Sequence, residues 1–488
     1  MFLVYLSIGV YAFGMLFIFI YSLAQGHLLL NFLKSRNKIE PATYIPESWP
    51  LVTVQLPIYN ELYVVERLIE AAAKIDYPAE LLQIQLLDDS SDATAQLIQE
   101  KIKNFPGVNF QYLHRTDRRG FKAGALRAGL AKASGEFIAI FDADFIPDSD
   151  FIYKTIPYFR SEKIGMVQTR WTHLNENYSL LTKLQAFALD AHFLIEQIGR
   201  NTQHAFINFN GTGGIWRKSC IIDAGNWEDD TLTEDLDLSY RAQRKGWEFV
   251  YRREIESPAE LPPIMSAIKS QQFRWTKGGA ECAIKHARGV LKENLPFSTK
   301  FHAMAHLFNS SIFIAIILVS LSSIGVWWAG HQGLISTGIF RLAGVFLVGF
   351  VIIACVYLVA FFYGKKNFWK NLFEALYVLP IFLSVSMGLA LHNSRAVWEG
   401  FSGKKSPFIR TPKFNLESGK TRLKANSYLV SKIPTITWFE GILALVFSAM
   451  VVIHLSTGSY ELLPFHLMLA IGYGLVFFTS FRSYGLGK

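Results

Sequence analysis

Asp142 and Asp144 stand two residues apart, directly after the apolar run Phe137–Ile140. Where a buried strand ends, both carboxylates can approach one metal–diphosphate unit, since Mg²⁺ typically binds through one or two carboxylates plus phosphates. Turns are also rich in Asp, so the pair alone is weak evidence. Similar polar clusters follow other apolar runs. Asp88-Asp89-Ser90-Ser91-Asp92 follows Ile84–Leu87, where one Asp can cap a helix over 91–104 while another faces a nucleotide. Pro57-Ile58-Tyr59-Asn60-Glu61 ends the run Leu51–Leu56, and a base could stack on Tyr59. Gly120-Phe121-Lys122-Ala123-Gly124 opens a small-residue helix; its glycines permit close approach, and Lys122 can meet a phosphate or simply be solvated. Thr233-Glu234-Asp235 lies in the acidic stretch Glu228–Asp237, ahead of a helix over Asp237–Lys245. Acidic residues favour a helix start through the dipole whatever else they do. Within Gln271-Gln272-Phe273-Arg274-Trp275, helical spacing puts Gln271, Arg274 and Trp275 on one face. Arg can grip a phosphate bidentately and Trp can stack on a sugar ring; the same residues also suit an interfacial aromatic belt.

These groups need a scaffold. Residues 40–298 read as an α/β domain, with buried strands at Leu51–Leu56, Ile84–Leu87 and Phe137–Phe141 and helical patterns at Glu61–Lys74 and Ser91–Asn104. Alternation of that kind predicts a mostly parallel sheet covered on both faces, with ligands beyond the carboxyl ends of its strands.

The remainder of the 488 residues is membrane-like: 51% of the chain is apolar, only 18% is charged, and the apolar residues are clumped. Residues 1–39 predict an N-terminal transmembrane helix, its apolar run over about 2–32 followed by basic Lys34, Arg36 and Lys38. Residues 299–488 predict a C-terminal membrane region with spans near 303–329, 339–363, 435–456 and 462–481. The loops around Lys365, Lys366 and Lys370 and over 393–433 are basic, as is the carboxyl end, which places all three on the cytosolic side. Segment 370–392 then cannot cross and is expected to be re-entrant or interfacial, broken at Pro380. The net charge of +9 is accounted for by these flanks rather than by a basic stripe, so no nucleic-acid partner is expected. The three cysteines, Cys220, Cys282 and Cys355, have neither disulfide nor metal spacing.

Taken in order, the motifs resemble those of family 2 glycosyltransferases of the cellulose synthase and cellulose-synthase-like type: an early Asp (Asp88/Asp89), a D-x-D (Asp142-Ala143-Asp144), a T-E-D (Thr233-Glu234-Asp235) and a Q-x-x-R-W (Gln271 to Trp275). The resemblance implies a GT-A-type cytosolic domain joined to an α-helical transmembrane bundle. It implies that Tyr59, Glu61 and one of Asp88 and Asp89 hold the base, with Lys122 on the phosphate side. Asp142 would contact the diphosphate and share a Mg²⁺ or Mn²⁺ ion with Asp144, the direct ligand. Glu234 and Asp235 would be catalytic, Asp235 as general base. Gln271 and Arg274 would hold the diphosphate, and Trp275 the acceptor's terminal sugar. Phe209-Asn210-Gly211-Thr212-Gly213-Gly214 is similar to the acceptor-lining segment, giving Phe209, Gly211 and Thr212 that role. Phe408-Ile409-Arg410-Thr411-Pro412-Lys413 resembles the F-x-V-T-x-K gating loop that closes over nucleotide, with Thr411 and Lys413 as nucleotide contacts and Arg410 in place of Val.

The implied activity is inverting transfer from a nucleotide-diphosphate sugar to a growing β-glycan of glucan or mannan type, processively and at the cell (inner) membrane. The alternative acceptor is a lipid, taking one sugar. The implied partners are the lipid bilayer and accessory export subunits. Few residues follow the last apolar segment, so no cyclic-dinucleotide-binding domain is expected there.

Overall fold

The computed structural model describes residues 1–36, 46–334, 337–416, 428–429 and 432–485. The expected domain edge at residue 40 and part of the loop 393–433 lie outside these residues.

The α/β domain is built on a seven-stranded sheet of order β3-β2-β1-β4-β6-β5-β7. Its strands are β1 Val52–Ile58, β2 Leu82–Asp88, β3 Phe110–His114, β4 Phe137–Ile140, β5 Ile164–His173, β6 Gly214–Arg217 and β7 Glu248–Ala259. The pairs β1/β2, β1/β4, β2/β3 and β5/β7 are parallel; β6 runs antiparallel to both neighbours. The short apolar runs form the central strands because both faces are covered. Val52, Val54 and Leu56 pack with Leu68 and Ile69 of helix Val65–Ala73 on one face. On the other face Thr53 and Gln55 meet Gln83 and Gln85 of β2 side by side, Thr53 Oγ1 donating at 2.8 Å and Gln55 Nε2 at 2.9 Å. These buried polar pairs pin the register, since a one-residue slip would leave them unsatisfied among apolar side chains. The second face is closed by helices Phe121–Lys132 and Glu234–Arg244, with Trp216 and Trp227 fully buried between them and the sheet.

Helix Met265–Lys292 leaves the sheet and carries the Gln271–Trp275 segment, as its spacing predicts. Five helices of the described residues are long and apolar enough to cross a membrane: Phe2–Ser35, Asn309–His331, Phe368–Gly388, Thr435–Thr457 and Leu463–Tyr484. Helix Thr337–Phe362 carries a shorter apolar stretch, Leu347–Phe362. The span expected from residue 303 starts later, because Phe297–Leu307 is a helix of its own.

Segment 370–392 also departs from expectation. Pro380 does not break it: Phe368–Gly388 is continuous, and helix Ala390–Phe401 follows. A proline removes one backbone hydrogen bond, but Val378, Phe382 and Val385 on either side of it are buried together against Val476 of the last helix. Gly388 and Gly472 bring the two backbones into contact, leaving no room for a Cβ on either.

Candidate active site

The sequence motifs meet beyond the carboxyl ends of β1, β2 and β4, where strand polarity gathers loops and helix starts. Asp142 and Asp144 follow β4. Lys122, in the first turn of helix Phe121–Lys132, reaches Asp142 Oδ1 at 2.5 Å and donates to the Gly211 carbonyl at 2.9 Å. Its Nζ lies 3.9 Å from Glu234. Burial works against the Lys122 charge, but Asp142, Glu234 and Asp235 outweigh it and raise its pKa. Asp144 is largely buried and paired with the ammonium of Lys413.

Thr233-Glu234-Asp235 begins helix Glu234–Arg244, so its carboxylates sit at the positive end of the helix dipole. Desolvation pushes both up: the Asp235 carboxyl rises to about 7, with Glu234 beside it adding to the effect and Lys122 opposing it. Gly211 has φ +81°, and a Cβ there would lie 3.0 Å from Asp235 Oδ2 and 3.4 Å from Lys122 Nζ. Glycine is therefore required twice, by the left-handed backbone and by the carboxylate against it.

The segment 404–416 lies across this edge. Phe408 stacks on Phe121 at 5.7 Å. Arg274 donates to the Ile409 carbonyl at 3.2 Å and to Thr411 Oγ1 at 3.0 Å. Arg410 pairs with Glu61 at 2.7 Å, and the Phe414 N–H donates to buried Glu260 at 2.9 Å. Burial raises the Glu61 carboxyl to about 7 even against Arg410 and Lys413. Gln271 and Trp275 are partly exposed on the same helix as Arg274.

Several predicted residues do other work. Phe209 is fully buried against Trp216 at 5.5 Å, so it is core rather than acceptor surface. Thr212 is also fully buried; its Oγ1 accepts from the Asp142 N–H at 2.9 Å and so fixes the Asp142 backbone. Asp88 is fully buried, accepting from Tyr112 Oη at 2.7 Å and the Ser90 N–H at 2.9 Å, with His114 Nδ1 at 3.0 Å. Asp89 is gripped by Arg115 at 2.7 and 2.5 Å. The local turn before helix Thr94–Ile102 is made by Asp92, which accepts from the Thr94 N–H at 2.9 Å. Arg118, which no motif singles out, covers the Tyr59 ring with its guanidinium 3.3 Å from the centroid.

Carboxylate oxygens are the right donors for Mg²⁺ or Mn²⁺, and a lysine cation already rests on each of Asp142 and Asp144. The pair therefore suits a divalent ion. A second acidic group, Glu228, Asp230 and Asp237, also converges. It encloses Lys285 instead, at 2.6, 2.8 and 2.8 Å.

The mostly parallel sheet with this acidic carboxyl edge has the GT-A-type fold. Residues 50–278 match the family model described as glycosyltransferase like family 2. The chain is 41% identical over 291 residues to probable glucomannan 4-beta-mannosyltransferase 2 of Oryza sativa subsp. japonica, covering 58% of this chain and 50% of that protein. It is 40% identical over 279 residues to glucomannan 4-beta-mannosyltransferase 7 of Arabidopsis thaliana, covering 56% and 50%. The chain thus spans about half the length of the curated relatives it matches. Its fold is also that of mannosyltransferase PcManGT from Pyrobaculum calidifontis, solved with GDP-Man and Mn²⁺, at TM-score 0.53 and 16% identity over 80% of this chain and 100% of that one. Residues 50–278 are thus similar in sequence to family 2 glycosyltransferases.

Proposed function

We propose that this chain is a membrane-embedded, inverting hexosyltransferase that moves mannosyl units from a nucleotide-diphosphate mannose onto a growing β-glycan. The observation that carries this reading is the convergence of Asp142, Asp144, Lys122, Glu234, Asp235 and Arg274 on one edge of a family 2 domain. The sugar is suggested by the mannosyltransferase names of relatives about 40% identical.

Asp235 takes the proton of the acceptor hydroxyl as that oxygen attacks the anomeric carbon. The bond to the diphosphate breaks in the same step, and nucleoside diphosphate leaves. A carboxyl raised to about 7 by burial suits a base at neutral pH. Lys122 and Arg274 place positive charge where the leaving diphosphate gains negative charge. Asp142 and Asp144 would hold a Mg²⁺ or Mn²⁺ ion, which would add further positive charge there. Tyr59, Glu61 and Asp89 line the base end, with Gln271, Thr411 and Lys413 toward the phosphates and Trp275 toward the acceptor. No covalent nucleophile is needed, so an α-linked donor gives a β-linkage.

The basic loops support an orientation with the α/β domain and residues 393–433 on the cytosolic face of the cell membrane. Cysteines introduced at Lys366 and Lys405 should both react only from that side; labelling of either from outside refutes this orientation.

The activity is tested by incubating the purified full chain with labelled GDP-mannose, UDP-glucose or UDP-N-acetylglucosamine, with and without Mg²⁺ or Mn²⁺. Metal-dependent polymer from GDP-mannose is expected. A glycolipid carrying one added sugar, or polymer from another donor alone, overturns the reading.

A further inference from the structure

The helical stretch Leu180–Asn201 runs from β5 toward the Phe209–Gly214 turn, and its middle, Ala191–Glu196, is a π-helix. Single π-turns inside α-helices occur frequently at functional sites. This one presents His192 and Glu196 on one side. Glu196 Oε1 accepts from Gln25 Nε2 at 3.0 Å, and its Oε2 accepts from the Arg200 guanidinium at 2.8 Å and lies 3.0 Å from His192 Nδ1. Across the ring, His192 Nε2 lies 3.0 Å from Asn210 Oδ1, which also accepts from Asn208 Nδ2 at 2.9 Å. The imidazole ring thus bridges Glu196 on its own helix and the side-chain amide of Asn210. The residue after Asn210 is Gly211, whose carbonyl receives Lys122 and whose α-carbon backs onto Asp235.

We propose that His192 is a positioning residue for the transfer reaction: held between Glu196 and Asn210, it fixes the Asn210–Gly211 turn against which Asp235 and Lys122 are set. The inference rests on the reading of Asp235 as the base. The first apolar helix is part of the device. Its Gln25 holds Glu196, and a Cβ on Gly199 would meet the Leu28 carbonyl at 2.6 Å, so the two helices touch through their backbones. Burial works to raise Glu196, but His192, Arg200 and Gln25 outweigh it and hold its carboxyl down at about 2. The anion opposite the ring is thus permanent near neutrality. The other charged or titratable groups around it are Arg200 on the same helix, Tyr21 on the first helix, His302 and His306 on Phe297–Leu307, and Tyr357 on Thr337–Phe362.

The test is kcat of the full chain in nanodiscs, with KM for the donor and thermal unfolding measured alongside. His192→Gln should lower kcat between roughly tenfold and a hundredfold, as expected for a misplaced catalytic group, and leave donor KM and thermal unfolding nearly unchanged. Glu196→Gln, which loosens the ring from its other side, should lower kcat by a smaller factor with donor KM again nearly unchanged. A His192→Gln chain with wild-type kcat overturns the proposal. So does one that loses kcat, donor binding and thermal stability together. An active wild type with either result refutes this inference alone; a wild type that transfers no sugar refutes the function reading beneath it.

Discussion

The two sides of the active site keep their carboxylates charged or buried by different means. Beyond β1 and β4, Glu61 and Asp144 meet Arg410 and Lys413, cations delivered by a segment outside the α/β domain. Beyond β6, Asp235 is enclosed by groups of the domain itself, with Lys122 and Glu234 beside it and Gly211 against its oxygen. A cation on a loop can be exchanged for a ligand; Lys122 belongs to the domain itself and is tied to both Asp142 and the Gly211 carbonyl. The first side is therefore suited to taking up and releasing a charged donor. The second is suited to holding one carboxylate at one pKa. Lys122 joins the two, touching Asp142 on one and lying near Glu234 on the other.

Three variants probe that contrast. The largest effect belongs to Asp144→Asn. Loss of a metal-holding carboxylate removes several kcal/mol of charge stabilisation, so transfer should fall by roughly a thousandfold or more. Chelation of divalent ions should abolish activity in the wild type, and both are read by product formed from labelled donor. Retention of near-normal, chelator-resistant transfer by Asp144→Asn would break the donor-side assignment.

A smaller, graded effect should come from pH. The proposed base must be ionised, and burial raises Asp235 to about 7. Activity should thus fall about tenfold per unit well below that value, the ionised fraction being what is lost. Glu61 titrates in the same range, so the acid limb should persist in Glu61→Gln. A limb that vanishes in that variant would transfer the titration to the loop-paired side.

The smallest effect is expected for Arg410→Val. Arg410 contacts Glu61 and the Tyr428 ring, so it secures the segment rather than a reacting group. Transfer should stay within about fivefold, the range of a modest ion pair. A loss comparable to Asp144→Asn would place Arg410 in the chemistry.

How much of this was legible in the sequence depends on what kind of order each part has. β1, β2 and β4 were readable because central strands buried on both faces appear as apolar runs, and the acidic motifs mark where those runs stop. β7 was not, because Arg252, Glu254 and Glu256 alternate with buried positions, one of them Arg253, and so hide a strand at the sheet edge. The Asp-x-Asp, Thr-Glu-Asp and Gln-x-x-Arg-Trp groups were visible as local patterns. Their counter-ions were not, since Arg410 and Glu61 are joined only by folding. Phe209 and Thr212 were misassigned because a motif gives order along the chain and not the direction of a side chain. Pro380 misled for the opposite reason: a local rule about helix breaking yields when packing on both sides holds the helix.

Asp235→Asn tests the central claim most directly, since it keeps the size of the side chain and removes the base. Transfer by the full chain and binding of GDP in the presence of Mn²⁺ should be measured on the same preparation. Loss of transfer with GDP affinity close to wild type is the predicted result. An active Asp235→Asn chain, or one that loses GDP binding along with transfer, would contradict the separation of donor binding from the proton-accepting carboxylate.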